Sequence, residues 1–285
     1  MNRRFDQLTL RQKIGRIALT LLMWSIGFVF IFPLLWMLST SLKIESAVFQ
    51  RPIQWIPTQP NWNNYKIVLM DQSPSFFRYY LNSIWVTGIC LAGNLFLSAL
   101  AAYGFTKMRF RGRDKLFLIY LCGMMVPFQV LMVPRFMMFR MMGIYNTHWA
   151  IILPNLCTTI GVFLLRQSFQ GVPFALNEAA RIDGAKEFRI FWQIILPMAK
   201  PALTSLAILT FVWRWNDYEA PLIFITNPKL YTLPLGLTNF IEETGSVKYT
   251  LVMAASVCAL LPVIVVFLAA QKQIISGLTE GSVKG

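Results

Sequence analysis

Six long apolar stretches constrain the fold of this chain more than any other feature of its sequence. They lie near residues 17–42, 83–105, 116–138, 149–165, 202–225 and 251–270. Each is about long enough to cross roughly 30 Å of hydrocarbon at about 1.5 Å per helical residue. Hydrophobic residues make up 56% of the 285 positions and charged residues only 13%, too few to cover a water-exposed surface. The sequence therefore predicts an all-α integral membrane protein with about six transmembrane helices.

Two of the stretches need a further check. The third is interrupted by Pro127, Gln129, Pro134 and Arg135, although prolines are tolerated in spans whose neighbours satisfy the freed backbone groups. The first follows a basic N-terminus, as the core of a signal peptide would. It runs for about 25 residues, against roughly 7 to 15 in a signal core, and no A-x-A site closes it. We expect a retained anchor helix.

The basic residues follow the topology of a membrane protein rather than the footprint of a nucleic-acid binder. The formal net charge is +14. With the N-terminus inside, 17 of the 26 Lys and Arg residues lie in predicted cytoplasmic segments, eight lie in outer segments, and Arg214 lies within the fifth stretch. This bias predicts a multi-pass chain with both termini in the cytoplasm. Topology explains the charge, so no nucleic-acid partner is expected.

The sequence carries no signature of an enzyme. Cys90, Cys122, Cys157 and Cys258 stand singly in apolar stretches, and His148 is the only histidine, so no metal site is expected. Neither a P-loop nor a G-x-S-x-G motif occurs. We therefore predict no catalytic residues and no cofactor in this chain.

The predicted organisation is a single transmembrane domain over residues 1–285. A cytoplasmic segment covers about 166–201, and two outer loops cover about 43–82 and 226–250. Both outer loops are rich in prolines and aromatic residues, which favours ordered surface over flexible linker. The tail, 277–285, is expected to be irregular.

The cytoplasmic segment contains the most polar stretch in the interior of the chain, EAARIDGAKEFRIFWQIILPMAKPAL. Glu178 lies near a predicted helix start, Ala179 and Ala180 permit close approach by another surface, and Gly184 breaks the run. One apolar face is predicted after the glycine, ending at Pro197, with residues at i, i+3, i+4 and i+7: Phe188, Phe191, Trp192 and Ile195. An amphipathic helix lying passively on the bilayer is one explanation of this pattern.

A second polar group, WRWNDYE, is predicted to lie within the helix of the fifth stretch. Charges at the centre of a bilayer are costly unless they face a partner or water, so these side chains should point inward. Arg214 and Asp217 could pair along one helix face. Alternatively, the side chains line a translocation path and offer a solute apolar ring faces and hydrogen bonds. The candidates for that path are Trp213, Arg214, Trp215, Asn216, Asp217 and Tyr218.

The cytoplasmic segment resembles the spaced EAA signature of ABC importer permeases. Glu178-Ala179-Ala180 is followed after three residues by Gly184, after nine more by Ile194, and after one more by Leu196-Pro197. Further similarity to the carbohydrate-uptake, maltose MalG-like branch runs from the first stretch to the last residue: Asn82-Ser83, Ala101-Ala102-Tyr103, Trp215-Asn216-Asp217, LPLGL at 233–237 and the terminal GLTEGSVKG.

This resemblance implies type I ABC importer permease architecture in the plasma (inner) membrane of a prokaryote. The implied partners are a second permease subunit, two ATPase subunits that bind ATP and Mg, an extracytoplasmic solute-binding protein and a sugar. The EAA loop would be the helix that docks on an ATPase. Its implied coupling residues are Glu178, Ala179, Ala180, Asp183, Gly184, Ile194, Leu196 and Pro197.

Three alternatives remain open. The chain could be an ABC permease for another solute. It could also be an ion-coupled secondary transporter, for which Asp217 and Glu219 are the only candidate coupling acids and no repeated halves are visible. A purely structural scaffold in the membrane would not require the EAA spacing.

Overall fold

The computed structural model describes residues 9–70, 74–240 and 247–282. These residues hold the following helices and no β-strand: α1 (Leu10–Ser41), α2 (Asn63–Met70), α3 (Phe76–Lys107), α4 (Arg113–Cys122), α5 (Phe128–Met141), α6 (His148–Ile152), α7 (Thr159–Gln170), α8 (Phe174–Ile182), α9 (Glu187–Ile190), α10 (Leu196–Met198), α11 (Lys200–Trp215), α12 (Glu219–Phe224), α13 (Leu233–Gly236) and α14 (Tyr249–Ser282). A π-helical turn, Phe191–Ile195, joins α9 to α10. The all-α prediction is confirmed.

Within the described residues, four stretches are long and apolar enough to cross a membrane as they stand: Arg11–Ser41, Phe76–Lys107, His148–Gln170 and Tyr249–Gln271. Two further candidates are bent pairs of helices. Arg113–Met125 meets Phe128–Met141 at 97°, and Glu187–Met198 meets Lys200–Trp215 at 80°. The six predicted spans therefore correspond to four helical spans and two broken ones.

The two broken spans correct the sequence-based boundaries. The third stretch is no continuous helix, because the chain breaks between Met125 and Phe128, where Pro127 has no backbone N–H to continue the ladder. The fifth stretch, 202–225, is likewise two helices: α11 ends at Trp215, and α12 starts at Glu219. The tail is also more regular than expected, since α14 continues through Gly277 to Ser282.

The chain divides into two compact units, which are described separately. One contains Met1–Asp71 and Phe240–Cys258. In it, the hydroxyl of Ser41 is 2.7 Å from that of Tyr65, and the Asn64 amide donates to the carbonyl oxygens of Ser41 and Lys43. These hydrogen bonds tie the start of α2 to the end of α1. Residues 241–246 of the second loop lie outside the described residues.

The other unit, Gln72–Asn239 with Ala259–Gly285, has α3 at its centre. α7 and α11 both pack on α3, and a polar node joins the three helices inside their apolar core. The side-chain oxygen of Asn94 accepts from Ser98 Oγ at 2.8 Å and from the backbone N and Oγ1 of Thr158, both at 3.0 Å. Its amide donates to Thr210 Oγ1 at 2.8 Å. Because the node is buried, its hydrogen bonds fix the register of the helices.

Candidate functional site

The first half of the EAA segment is helix α8, which a glycine-dependent turn ends. The N–H of Gly184 donates to the Arg181 carbonyl at 3.0 Å, and the N–H of Ala185 donates to the Ala180 carbonyl at 2.9 Å. This pair of bonds is a Schellman cap, in which the residue after the C-cap adopts a left-handed conformation. Gly184 has φ +80°. The prediction that this glycine breaks the run is confirmed.

The second half is less regular than the sequence predicts. The expected apolar face at 188, 191, 192 and 195 is only half correct, because Phe188 and Trp192 are 62% and 51% exposed. Phe191 and Ile195 are buried as expected, and Ile190 is buried in addition. A π-turn has more residues per turn than an α-helix, so the buried face differs from the one that a spacing of 3.6 residues predicts. Pro197 does not end the helix either, since α10 runs on to Met198.

A buried tyrosine ties both halves of the segment to α3. The hydroxyl of Tyr103 donates to Glu187 Oε2 at 2.6 Å, and its ring meets the edge of Phe191 with the centroids 5.4 Å apart. Glu187 also accepts from Arg181 Nε at 2.7 Å, and this hydrogen bond raises the pKa of the Arg181 guanidinium. The Glu187 carboxylate on α9 therefore accepts hydrogen bonds from both α3 and α8.

The chain just before α8 is also anchored. The ammonium group of Lys107, at the end of α3, is buried and donates to the Val172 carbonyl at 2.6 Å. Val172 lies two residues before Phe174, the first residue of α8. The start of the EAA segment is therefore held to the same helix as its second half.

The predicted coupling residues separate into an exposed and an inward-facing set. Glu178, Ala179, Asp183 and Gly184 are exposed, and Pro197 is exposed at the far end. Ala180 is buried, and Ile194 and Leu196 pack partly buried against the core around α3. The apolar side chain of Ile182 is 86% exposed beside the acidic residues. The structure thus leaves an uncovered surface on α8 that mixes charged, small and large apolar side chains.

Glu178 itself makes only a weak contact within the described residues. Its Oε1 lies 3.5 Å from Arg109 Nη2, with both side chains largely exposed. Exposed ion pairs of this kind contribute little, typically about 0 to 1 kcal/mol. The carboxylate can therefore exchange this partner for another at small cost.

The second predicted site lies at the break in the fifth stretch. Arg214 Nη1 is 2.7 Å from Asp217 Oδ2, so these residues do pair, but Asp217 follows the end of α11 rather than lying within it. Asp217 also accepts from the backbone N of Ala220 at 3.3 Å and so leads the chain into α12. The two charges therefore compensate each other locally, as charges next to a candidate membrane span require.

The other candidates around the break differ in accessibility. Trp213, Asn216 and Tyr218 are exposed. Trp215 is only 3% exposed: its Nε1 donates to the Ala259 carbonyl at 3.0 Å, and its ring stacks on Phe211 at 5.5 Å. Trp215 therefore packs inside the protein, whereas the side chains of Trp213, Asn216 and Tyr218 are accessible.

A cavity of about 240 Å³ adjoins the ion pair, and the two broken stretches both contribute to its wall. Arg214, Asp217 and Glu219 come from the fifth stretch, Arg135 comes from the third, and Asn155 comes from the short turn before α7. The sequence did not point to Arg135 or Asn155 as neighbours of Asp217. Only the proline interruption near Arg135 hinted that the third stretch folds around a polar space.

Comparison with known proteins gives consistent matches over nearly the whole chain. A family model described as a binding-protein-dependent transport system inner membrane component matches residues 94–279. The chain is 35% identical to an arabinooligosaccharides transport system permease protein of Bacillus subtilis, over 95% of this chain and 97% of that protein. It is 33% identical to a trehalose/maltose transport system permease protein of Thermococcus litoralis, over 90% of this chain and 92% of that protein.

A solved structure shares the fold. It is a bacterial ABC transporter involved in the import of the acidic polysaccharide alginate, which superposes with a TM-score of 0.84 at 26% identity and covers 93% of this chain and 98% of that one.

Proposed function

The chain belongs to the family of binding-protein-dependent transport system inner membrane components, and from this premise we propose that it carries a sugar or oligosaccharide across the membrane and is driven by separate ATPase subunits. It is a permease subunit rather than an enzyme, and its fold is that of a type I ABC importer permease. Sugar as the solute class is supported by the relatives that transport arabinooligosaccharides and trehalose or maltose.

The observation that carries the coupling role is the exposed surface of α8. Glu178, Ala179 and Ile182 face outward, while the rest of the segment is fixed to α3 through Tyr103 and Glu187. A short helix that is rigidly mounted and bare on one side suits a groove on another protein. A helix lying passively on the bilayer would instead direct one continuous apolar face to the lipid, and the exposed face of α8 is mixed.

The proposed mechanism assigns ATP and Mg to the ATPase subunits. ATP closes the ATPase pair, and the EAA segments of this chain and of a second permease are drawn together. The two permeases then rock from an inward-facing to an outward-facing state, receive solute from an extracytoplasmic binding protein, and return after hydrolysis. In this arrangement both termini and the EAA segment lie in the cytoplasm, in accord with the positive-inside bias.

The break at 216–218 is the proposed solute contact. Trp213, Asn216 and Tyr218 offer exposed ring faces and an amide, and the nearby cavity adds charged and amide groups. Such a combination suits hydroxyl-rich solutes. A proton-coupled carrier is less well supported, because Asp217 already pairs with Arg214 at 2.7 Å.

Affinity purification of the tagged chain from its native membrane tests the proposal. The wild type should bring down a second permease and an ATPase, and Glu178→Lys should lose the ATPase but keep the permease. Lys66→Glu reverses an exposed charge on α2 and serves as the matched control, which should retain both. Recovery of the wild-type chain alone would contradict the importer assignment, and retention of the ATPase by Glu178→Lys would contradict the role of that residue.

A further inference from the structure

A basic loop, residues 109–115, follows α3 and includes the first three residues of α4. These residues line an open hollow of about 780 Å³. The loop follows the span Phe76–Lys107 directly and leads into the bent pair that begins at Arg113. It therefore lies where the chain leaves the apolar region, at the depth of the lipid headgroups.

Two of the arginines near the loop are used to build it. Arg113 donates through Nη1 to the carbonyls of Thr106 and Met108, both at 3.3 Å, and its Nε lies 3.4 Å from Asp114. Arg166 reaches the same carboxylate oxygen at 3.0 Å. Asp114 is thereby shared by the two structural arginines, Arg113 and Arg166.

Those remaining cations, Arg109, Arg111 and Lys115, are all exposed. Among the described residues the one carboxylate within ion-pair distance of any of them is Glu178, 3.5 Å from the 75% exposed side chain of Arg109. The surface of the loop therefore carries a surplus of positive charge.

Apolar side chains alternate with these cations. Met108 and Phe110 are 43% and 46% exposed, and they flank Arg109 in sequence. Leu116, in the first turn of α4, is 51% exposed. A membrane interface accommodates apolar side chains and cations at one level.

We propose that the 109–115 loop binds the phosphate of an anionic phospholipid headgroup. Arg109, Arg111 and Lys115 contact the headgroup, and Phe110 and Met108 enter the boundary with the acyl chains. Guanidinium groups suit this ligand because their planar fork matches two phosphate oxygens. An acidic protein surface could satisfy the same charges, but the segment directly follows the span Phe76–Lys107 and so lies at the level of the headgroups, which makes lipid the better fit. A headgroup on Arg109 competes with Glu178 for that guanidinium, which places the lipid beside the EAA segment.

Native mass spectrometry of the purified full-length chain tests this proposal. The protein is equilibrated in detergent micelles that contain equal amounts of phosphatidylglycerol and phosphatidylcholine, and the ratio of the two bound lipids is measured. The test variant combines Arg109→Gln, Arg111→Gln and Lys115→Gln. The control variant removes the same charge from exposed positions elsewhere, with Arg51→Gln, Lys66→Gln and Lys229→Gln.

The wild type and the control should retain phosphatidylglycerol in preference to phosphatidylcholine. Each cation near an anionic lipid contributes about a fivefold preference, so the test variant should lose roughly 100-fold and each single change about fivefold. An unchanged lipid ratio in the test variant would overturn the proposal. So would an equal loss in test and control variants, because it would show that net charge alone sets the preference. If the test variant kept the lipid but lost the ATPase in affinity purification, the loop would be a protein contact instead.

Discussion

Replacing Gly184 tests whether the turn between α8 and α9 positions the EAA surface. The residue has φ +80°, and a Cβ added there would meet no atom within 4 Å. Any effect of a side chain must therefore come from the backbone conformation rather than from a clash. A residue other than glycine in the left-handed region costs about 1 to 2 kcal/mol, and a β-branched residue lies at or beyond the upper end of this range.

Gly184→Val should therefore reduce the equilibrium constant for forming the native turn about 30-fold, the equivalent of about 2 kcal/mol. Loss of the turn also separates Arg181 from Glu187, whose 2.7 Å contact spans it. Gly184→Asn is the matched control, since asparagine tolerates left-handed geometry better than other side chains. We expect the amount of ATPase that co-purifies per permease to fall strongly for Val and only slightly for Asn, at equal membrane content.

The two variants separate conformation from side-chain volume, because both add atoms at the same open position. Equal retention of the ATPase by Val and wild type would refute the argument from φ. Equal loss in Val and Asn would point to a contact surface at Gly184 that admits no side chain.

Three further perturbations probe the packing around Asn94, the hydrogen bond between Tyr103 and Glu187, and the proposed solute contact. Gly161→Ala would place a Cβ 2.7 Å from Ser98 Oγ and 3.0 Å from Asn94 Oδ1, so thermal unfolding in detergent should reveal a loss of about 1 to 3 kcal/mol. Gly104→Ala on α3, with open space around it, should instead stabilise the protein by about 0.5 to 1 kcal/mol. Tyr103→Phe removes the 2.6 Å bond to Glu187 and should lower the solute transported per ATP hydrolysed in vesicles, while the ATPase stays bound; an unchanged ratio would show that the bond has no role in coupling. Asn216→Ala and Tyr218→Ala should each reduce uptake of a labelled oligosaccharide or change the preference among sugars, and wild-type behaviour in both would move the solute path elsewhere.

The sequence predicts well those features that depend on composition and on local backbone preference. Apolar stretches locate the spans because burial in lipid depends on the length of a continuous run. Gly184 is identifiable because only glycine adopts a left-handed turn at little cost. In both cases the residues that allow the prediction are those that form the span or the turn, or lie a few positions away.

Features that depend on distant contacts or on irregular helix geometry were missed. Tyr103 and Glu187 lie 84 positions apart, and no local pattern pairs them. The prediction of an apolar face at Phe188 and Trp192 assumed 3.6 residues per turn, which the π-turn at Phe191–Ile195 violates. The 80° bend before α11 depends on how α10 packs, so its angle could not be read from Pro197 or Pro201 alone.

The attachments of the EAA segment determine how a pull on α8 reaches the membrane spans. Only residues 171–173 separate α7 from α8, and Lys107 holds that link to α3. At the other end only Ala199 separates α10 from α11. Because Asn94 bonds α3 to both α7 and α11, the segment is joined at each end to one three-helix body. Bending the loop alone would break the Tyr103 and Lys107 contacts, whereas moving the three helices together preserves them. An ATPase that displaces α8 should therefore rotate α3, α7 and α11 as a rigid body, which is the kind of motion that alternating access requires.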